Sequence, residues 1–187
     1  DAGATVYLYM DGSSTPLGSV TAAGNGTYSF SPPSNISAGV HTFRARSTVS
    51  GVKTGSSGYS YEASVLIDTT APTFSSNNRS VPTTQITGLD TLTFRLSFSE
   101  ALSGLDASDF VVSGTTATVS RVAMVSSSTG DYDITVSGGD LAGYNGVVGV
   151  GFVASPTVTD IAGNALAGTT PATAAQTYTM DNSNPAV

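Results

Sequence analysis

The sequence predicts an all-β protein made of two tandem β-sandwich units. Segments in which apolar and polar residues alternate recur along the chain, most clearly at residues 91–98. Gly, Ser, Thr and Asn dominate the stretches between them, and the scarcity of Lys and Glu argues against helices. A strand that ends at Asp and is followed by a polar turn and Pro occurs twice, with Asp68 and Asp181 separated by 113 residues (181 − 68). This spacing predicts the length of one repeating unit.

The first unit is predicted from five short strand segments. Residues 5–10 place Val6, Leu8 and Met10 on one face and tyrosines on the other, and Asp11-Gly12 favours a turn directly afterwards. The five strands are expected at residues 5–10, 16–21, 27–31, 40–47 and 58–67. A sandwich commonly has about seven strands. We therefore expect the first unit to be shorter than the second.

The second unit is predicted to be a complete sandwich. Residues 91–98 alternate Leu92, Phe94, Leu96 and Phe98 with polar residues, which is typical of a half-buried strand. An opening strand is expected within residues 74–82. Further strands are expected at residues 109–112, 116–125, 132–136, 147–153 and 176–180. Seven strands over roughly 110 residues favour two packed sheets.

The repeated Asp-to-Pro punctuation also predicts the domain boundaries. Proline fixes its own φ and pushes the preceding residue towards extended geometry, as expected where one unit ends and another begins. We expect a first unit at residues 1–70, a second at residues 71–181, and the start of a linker to a further repeat at residues 182–187. The chain is then an internal part of a longer tandem array.

Composition argues against several classes of partner. The formal net charge is −7, and six Lys and Arg residues in total cannot form the basic surface that binds nucleic acid or anionic membrane. No stretch approaches the roughly 18 apolar residues of a membrane span, so direct membrane insertion is not expected. Without Cys, the chain has neither disulfides nor thiolate metal sites. Divalent cations that prefer oxygen ligands suit such an acidic chain.

Several segments resemble bacterial immunoglobulin-like (Ig-like) repeats of very large secreted and surface proteins, notably adhesins of the repeats-in-toxin type. In the second unit these segments are LSFSEALSGLDASDF at 96–110, VTDIAGNAL at 158–166 and QTYTMD at 176–181. The first unit is similar to a shorter repeat of the same kind through GATVYLY at 3–9, GTYSF at 26–30, GVHTF at 39–43 and IDTTAP at 67–72. In that family one or two strands normally precede the GATVYLY segment. Here they are missing, either because the chain is truncated or because a neighbouring molecule covers the exposed edge.

The resemblance implies a role and a location. Repeats of this family form long chains of Ig-like β-sandwiches that project a binding domain from a bacterial surface, and calcium often stiffens them at or near the junctions. Neighbouring Ig-like repeats of the same parent chain are then the partners. The expected location is extracellular, either secreted or on the bacterial cell surface. Related repeats also occur as spacers in secreted enzymes, so the likeness alone does not fix the function.

The positions of the acidic residues predict a calcium site. In a sandwich, the loop after the second strand and the loop before the last strand lie at the same end as the incoming linker. Crowded carboxylates repel one another unless a cation neutralises them, and Ca²⁺ takes six to eight oxygen ligands. We therefore expect Ca²⁺ at Asp68, Glu100, Asp106 and Asp160. Asp109 and Asn164 are lesser candidates, and Asp181 would belong to the next site in the array.

The alternative to a metal site is local turn chemistry, because Asp and Asn in β-loops often cap backbone donors. Catalysis is not expected. His41 is the single histidine and has neither a Ser nor an acid beside it in sequence, and there is no Gly-x-Ser-x-Gly motif. We interpret His41 as a packed or surface residue of a strand, and the chain as a non-enzyme.

A carbohydrate- or ligand-binding module is the alternative function. Tyr7, Tyr9, Tyr59 and Tyr61 could form an exposed aromatic strip that stacks on sugar rings. Cross-strand packing of the same tyrosines is the simpler explanation. The chain also contains no Trp. A calcium-stiffened extender segment of a large surface adhesin is therefore the main hypothesis.

Overall fold

A computed structural model describes residues 2–48 and 59–183 of the chain. The chain divides into two compact units, Asp1–Thr69 and Thr70–Val187. Within the described residues, the regular structure consists of β-strands and two short 3₁₀ helices, Ala107–Asp109 and Leu141–Gly143. The predicted all-β class is therefore confirmed. No helix in this part of the chain has the length and hydropathy needed to cross a bilayer.

The described residues of the first unit form one antiparallel sheet in the order β2-β1-β3-β4. Its strands are β1 (Thr5–Met10), β2 (Gly18–Thr21), β3 (Gly39–Thr48) and β4 (Ala63–Ile67). The central strand β1 places Val6 between Val20 of β2 and Ser47 of β3. The second sheet of a sandwich is not found among the described residues of this unit. The predicted strand at residues 58–67 is confirmed for Ala63–Ile67, and its first residue, Gly58, lies outside the described residues.

The prediction of a strand at residues 27–31 is wrong. The side-chain oxygen of Asn25 accepts hydrogen bonds from the backbone N–H and the hydroxyl of Thr27, at 3.1 and 2.7 Å. This local turn uses a backbone donor that a strand would pair with a neighbour. Phe30 packs against the β2 backbone, where a Cβ added to Gly18 would lie 2.5 Å from its ring. The segment therefore lies against the sheet instead of extending it.

The second unit is built from two four-stranded sheets, in the orders β5-β7-β10-β9 and β6-β12-β11-β8. All pairings are antiparallel except that of β6 with β12, which is parallel. The two-residue strand β6 was not predicted, and the other seven strands were. The strands are β5 (Phe74–Val81), β6 (Ile86–Thr87), β7 (Thr91–Phe98), β8 (Phe110–Ser113), β9 (Thr118–Ser126), β10 (Asp131–Ser137), β11 (Gly146–Phe152) and β12 (Tyr178–Met180).

The core of the second unit lies between its two sheets. Along β7 every second residue is buried, as the alternation of the sequence predicts. Phe94 of β7 packs edge-on against Tyr178 of β12 at a centroid distance of 5.0 Å, which joins one sheet to the other. Asn77 of β5 adds a polar link, because its side-chain amide donates to the carbonyl of Val150 on β11. The second unit is therefore a β-sandwich with a continuous apolar core.

Candidate metal site

Glu100 and Asp160 come together at one end of the second unit. A carboxylate oxygen of each residue lies within 4.8 Å of one from the other. Glu100 follows the last residue of β7 by two positions. Asp160 follows Thr159, whose backbone makes a two-way bridge with Ser103: the Ser103 N–H donates at 2.6 Å, and the Thr159 N–H donates at 3.2 Å. This bridge brings the loop after β7 to the loop that precedes β12.

The backbone at Glu100 is held by close packing. The Gly130 backbone, just before β10, lies so near that a Cβ added there would be 2.4 Å from the Glu100 carbonyl oxygen. Gly130 also has a φ of 61°, which favours glycine. On the other side, the Leu102 N–H and carbonyl both bond to the Tyr132 hydroxyl, at 2.8 and 3.0 Å. The position of the Glu100 backbone therefore depends on contacts from β10.

Asp160 is a buried carboxylate whose charge is stabilised by hydrogen bonds. Only 1% of the residue is exposed. Burial raises its pKa, but hydrogen bonds from the Asn164 side chain and from the backbone of Asn164, Gly163 and Ala162 outweigh burial and leave the pKa below its ordinary value. Neither Lys nor Arg forms an ion pair with Asp160 in the described part of the chain. Asp160 is therefore an ionised, buried group that a cation would stabilise.

Asn164 positions the Asp160 carboxylate. Its backbone N–H donates to one carboxylate oxygen and its side-chain amide donates to the other, both at 2.8 Å. The Asp160 N–H in turn donates to the Asn164 carbonyl at 3.0 Å. The amide oxygen of Asn164 is the atom with which this residue could bind a hard cation.

Asp68 is the predicted metal ligand that lies in the first unit, and its role as a ligand stays a prediction. It directly follows Ile67, the last residue of β4, and precedes Thr70, the first residue of the second unit, by two positions. The sequence predicted this residue together with Glu100 and Asp160. All three offer carboxylate oxygens, the donor type that Ca²⁺ prefers.

Asp106 and Asp109 lie in the loop after β7, and their carboxylates accept hydrogen bonds from backbone N–H groups. The Asp106 carboxylate accepts hydrogen bonds from the hydroxyl and the backbone N–H of Ser108, and these bonds lower its pKa. Asp109 is buried and accepts from the backbone of Asp106 at 2.9 Å and of Thr157 at 3.2 Å. Neither belongs to the acidic group found among the described residues. The local capping that the sequence offered as an alternative is therefore seen at both positions, and a role as calcium ligands stays a prediction.

Asp181 directly follows β12. Its carboxylate accepts hydrogen bonds from the hydroxyl and the backbone N–H of Ser183, and these bonds hold its pKa below the ordinary value. Its predicted role in a further calcium site stays a prediction. A linker is predicted at residues 182–187, and residues 184–187 of it lie outside the described residues.

The tyrosines of the first unit do not form one exposed strip. Tyr9 is buried and packs edge-on against Tyr59 at 5.1 Å, and the guanidinium of Arg44 lies 3.9 Å from the centre of the Tyr59 ring. Tyr61, by contrast, is 99% exposed. Sequence analysis missed a shallow cavity of about 240 Å³ in this unit, which Tyr28 lines together with Val6, Ala45, Arg46, Ser47, Tyr59 and Ser60. The predicted strand at residues 27–31 would place Tyr28 in a sheet, so the sequence offers no signal for this cavity.

Comparisons with known proteins give no match: no family model fits the chain, and neither a curated protein nor a solved structure matches it. The functional argument therefore depends on the geometry of the described residues.

Proposed function

We propose that the chain is a non-catalytic extender segment of a large bacterial surface or secreted adhesin, and that bound Ca²⁺ stiffens it. The observation that carries this proposal is the meeting of Glu100 with the buried, ionised Asp160. Asp68 is a further ligand of this proposal on the basis of the sequence alone. The parent protein would be extracellular, and its partners along the chain would be neighbouring repeats of the same kind.

The strand order of the second unit supports an Ig-like fold. In Ig-like domains, strands A, B, E and D form one sheet and strands C, F and G form the other. If β5 is strand A, the order β5-β7-β10-β9 reads A-B-E-D. The order β6-β12-β11-β8 then reads as a short second part of strand A followed by G, F and C. A tandem of such domains with a shorter first member is part of the proposal.

The chemistry of the ligand set favours calcium over transition metals. Carboxylate, amide and backbone oxygens are hard ligands, and neither histidine nor cysteine occurs in the second unit. Placing a cation beside Asp160 offsets the cost of burying its charge. Binding to the folded state alone stabilises it by about 2.7 kcal/mol when free Ca²⁺ is 100 times the dissociation constant. The role would be mechanical, because a bound cation restrains the two loops that carry Glu100 and Asp160.

The test is a thermal melt of the full chain in chelator, in millimolar Ca²⁺ and in Mg²⁺. We expect Ca²⁺ to raise the melting temperature well above the value in chelator and Mg²⁺ to raise it much less, since Mg²⁺ demands a tighter octahedral site. Glu100→Gln should remove most of the rise. Glu62→Gln is the matched control, because Glu62 is the other glutamate of the chain and is exposed. No rise with Ca²⁺, or an undiminished rise in Glu100→Gln, would contradict the proposal.

A carbohydrate- or ligand-binding module is the second candidate function. The observation in its favour is the cavity beside Tyr28 and Tyr59, where an aromatic ring and the Arg46 guanidinium could contact a sugar. Titration calorimetry with neutral and uronic-acid oligosaccharides separates the two functions. An extender segment without sugar binding should give no heat of binding with either oligosaccharide. Binding that is lost in Tyr28→Ala would support the carbohydrate-binding module.

A further inference from the structure

His41 is held between two hydrogen-bond acceptors in the first unit. Its Nδ1 lies 2.7 Å from Asp11 Oδ2, and its Nε2 lies 2.9 Å from the carbonyl oxygen of Ser37. The residue is only 8% exposed. These three residues come from β3, from the turn after β1 and from the loop before β3. One imidazole ring therefore connects three parts of the unit.

The two acceptors determine the protonation state of the ring. A backbone carbonyl can only accept a hydrogen bond, so Nε2 must carry a proton. An ionised carboxylate also only accepts, so Nδ1 must carry a proton as well. The hydrogen bond with His41 and that from the Thr42 backbone lower the pKa of Asp11, which keeps it ionised at neutral pH. The Ser37 hydroxyl, the one group among the described residues that could donate to Nε2, lies farther away at 3.4 Å, so the geometry favours the doubly protonated imidazolium.

Asp11 also lies in a tight turn, at residues 10–13, and anchors it. Asp11 and Gly12 have φ values of 51° and 72°, and the Ser13 N–H donates to the Met10 carbonyl, which is the pattern of a type I′ turn. The second carboxylate oxygen of Asp11 accepts from the Thr42 N–H at 2.9 Å, and the Asp11 N–H donates to the Thr42 carbonyl at 2.8 Å. The turn is therefore anchored to β3 through the same aspartate that contacts His41.

We propose that His41, Asp11 and the Ser37 carbonyl form a pH-dependent latch, which fixes the turn after β1 and the loop before β3 while the imidazole is doubly protonated. Loss of one ring proton leaves a nitrogen lone pair facing either the Ser37 carbonyl or the Asp11 carboxylate. One of the two hydrogen bonds is then replaced by repulsion between two acceptors. The latch therefore opens, and the turn after β1 and the loop before β3 become mobile.

The groups around the ring favour the charged form. Among the described residues, Asp11 is the charged residue that pairs with His41, and the neighbouring strand β4 places the apolar Val65 opposite His41. Arg44 donates to the carbonyls of Gly12 and Ser13, at 3.1 and 3.4 Å, and so supports the turn in either state of His41. The Asp11 hydrogen bond and the Ser37 carbonyl raise the pKa of His41 above its ordinary 6.5, and burial only partly opposes them.

The pH window follows from these two shifts. A raised histidine pKa gives stabilisation that is complete below 6.5, the ordinary value, and is lost as pH rises through the higher pKa of the folded state. A lowered aspartate pKa gives stabilisation that is present above 3.8, the ordinary value, and is lost as pH falls through the lower pKa of the folded state. The latch is therefore closed between the two folded-state pKa values and opens on the alkaline side when His41 loses a proton.

The test is an NMR titration of the full chain, followed at the carbon-bound ring protons and the ring nitrogens. His41 is the only histidine, so its signals need no assignment by mutagenesis. We expect a titration midpoint above 6.5. Below that midpoint both ring nitrogens should carry protons, and above it the Thr42 amide should exchange faster with solvent.

Two substitutions sharpen the test. Asp11→Asn should lower the midpoint relative to the natural chain, because the amide cannot replace the charge. Asp90→Asn changes the net charge equally at an exposed site of the second unit and should leave the midpoint unchanged. A midpoint at or below 6.5 in the natural chain, or a singly protonated ring below it, would overturn the proposal. The natural chain alone decides the matter if Asp11→Asn fails to fold.

Discussion

The two units bury their apolar residues in different ways. In the second unit, two sheets enclose a core in which Phe94, Leu96 and Ile134 are wholly buried. Among the described residues of the first unit, the buried apolar residues are Ala4, Val6, Tyr9 and Ala22, two of them small, while Leu66 stays 70% exposed. The comparison teaches that the second unit is stabilised mainly by its core. The first depends more on polar contacts such as the bond between His41 and Asp11.

The largest expected effect is at the centre of the larger core. Phe94→Ala should destabilise the second unit by about 3–5 kcal/mol, because it removes a buried ring and leaves a cavity next to Tyr178. Val6→Ala in the first unit should cost roughly 1–2 kcal/mol, since it removes only two carbon atoms. Hydrogen exchange resolved by mass spectrometry measures both units in one sample. Equal losses of protection in the two variants would contradict the comparison.

A smaller effect is expected at the glycine beside Glu100. Gly130→Ala should destabilise the second unit by about 1–3 kcal/mol, because its positive φ disfavours alanine and the new Cβ would meet the Glu100 backbone. Gly151→Ala is the matched control within the same unit, since a Cβ there has no neighbour within 4 Å. Urea denaturation compares the two variants. A stability loss in Gly151→Ala as large as that in Gly130→Ala would show that glycine replacement in general, and not the positive φ and close approach at Gly130, sets the cost.

The same comparison explains how much the sequence could predict. Strand β7 was predicted at its observed bounds, because its buried face requires an apolar residue at every second position. Residues 27–31 also alternate, but the turn made by the Asn25 side chain decides their structure. The two-residue strand β6 is too short to carry any alternation. Prediction therefore succeeded where burial on one face sets the pattern and failed where a single polar contact does.

The candidate site shows the same limit. Loop positions in a sandwich were enough to predict that Glu100 and Asp160 meet, because both loops lie at one end of the unit. They could not distinguish these residues from Asp109, whose carboxylate instead accepts hydrogen bonds from the backbone of Asp106 and Thr157. Sequence records the residue type, whereas the direction of a carboxylate depends on the backbone donors that the fold brings to it, whether near in the chain, as Asp106 is, or distant, as Thr157 is.

The smallest expected effect is a difference in pH response between the units. In the second unit, hydrogen bonds lower the pKa of Asp131 and Asp140, so its stability should fall as pH drops through those lowered values. This unit contains no histidine, so its stability should stay level between about pH 6 and pH 8. The first unit should lose protection as pH rises, because His41 gives up a proton.

Hydrogen exchange at a series of pH values checks this difference, once the intrinsic rate of exchange is corrected for pH. Peptides around Asp11, Ser37 and Thr42 should become less protected on the alkaline side, while peptides of β7 and β10 stay unchanged. Parallel changes in both units would mean that a general effect of charge, and not the His41 latch, sets the response. A response confined to the first unit would establish that its polar contacts stabilise it separately from the core of the second.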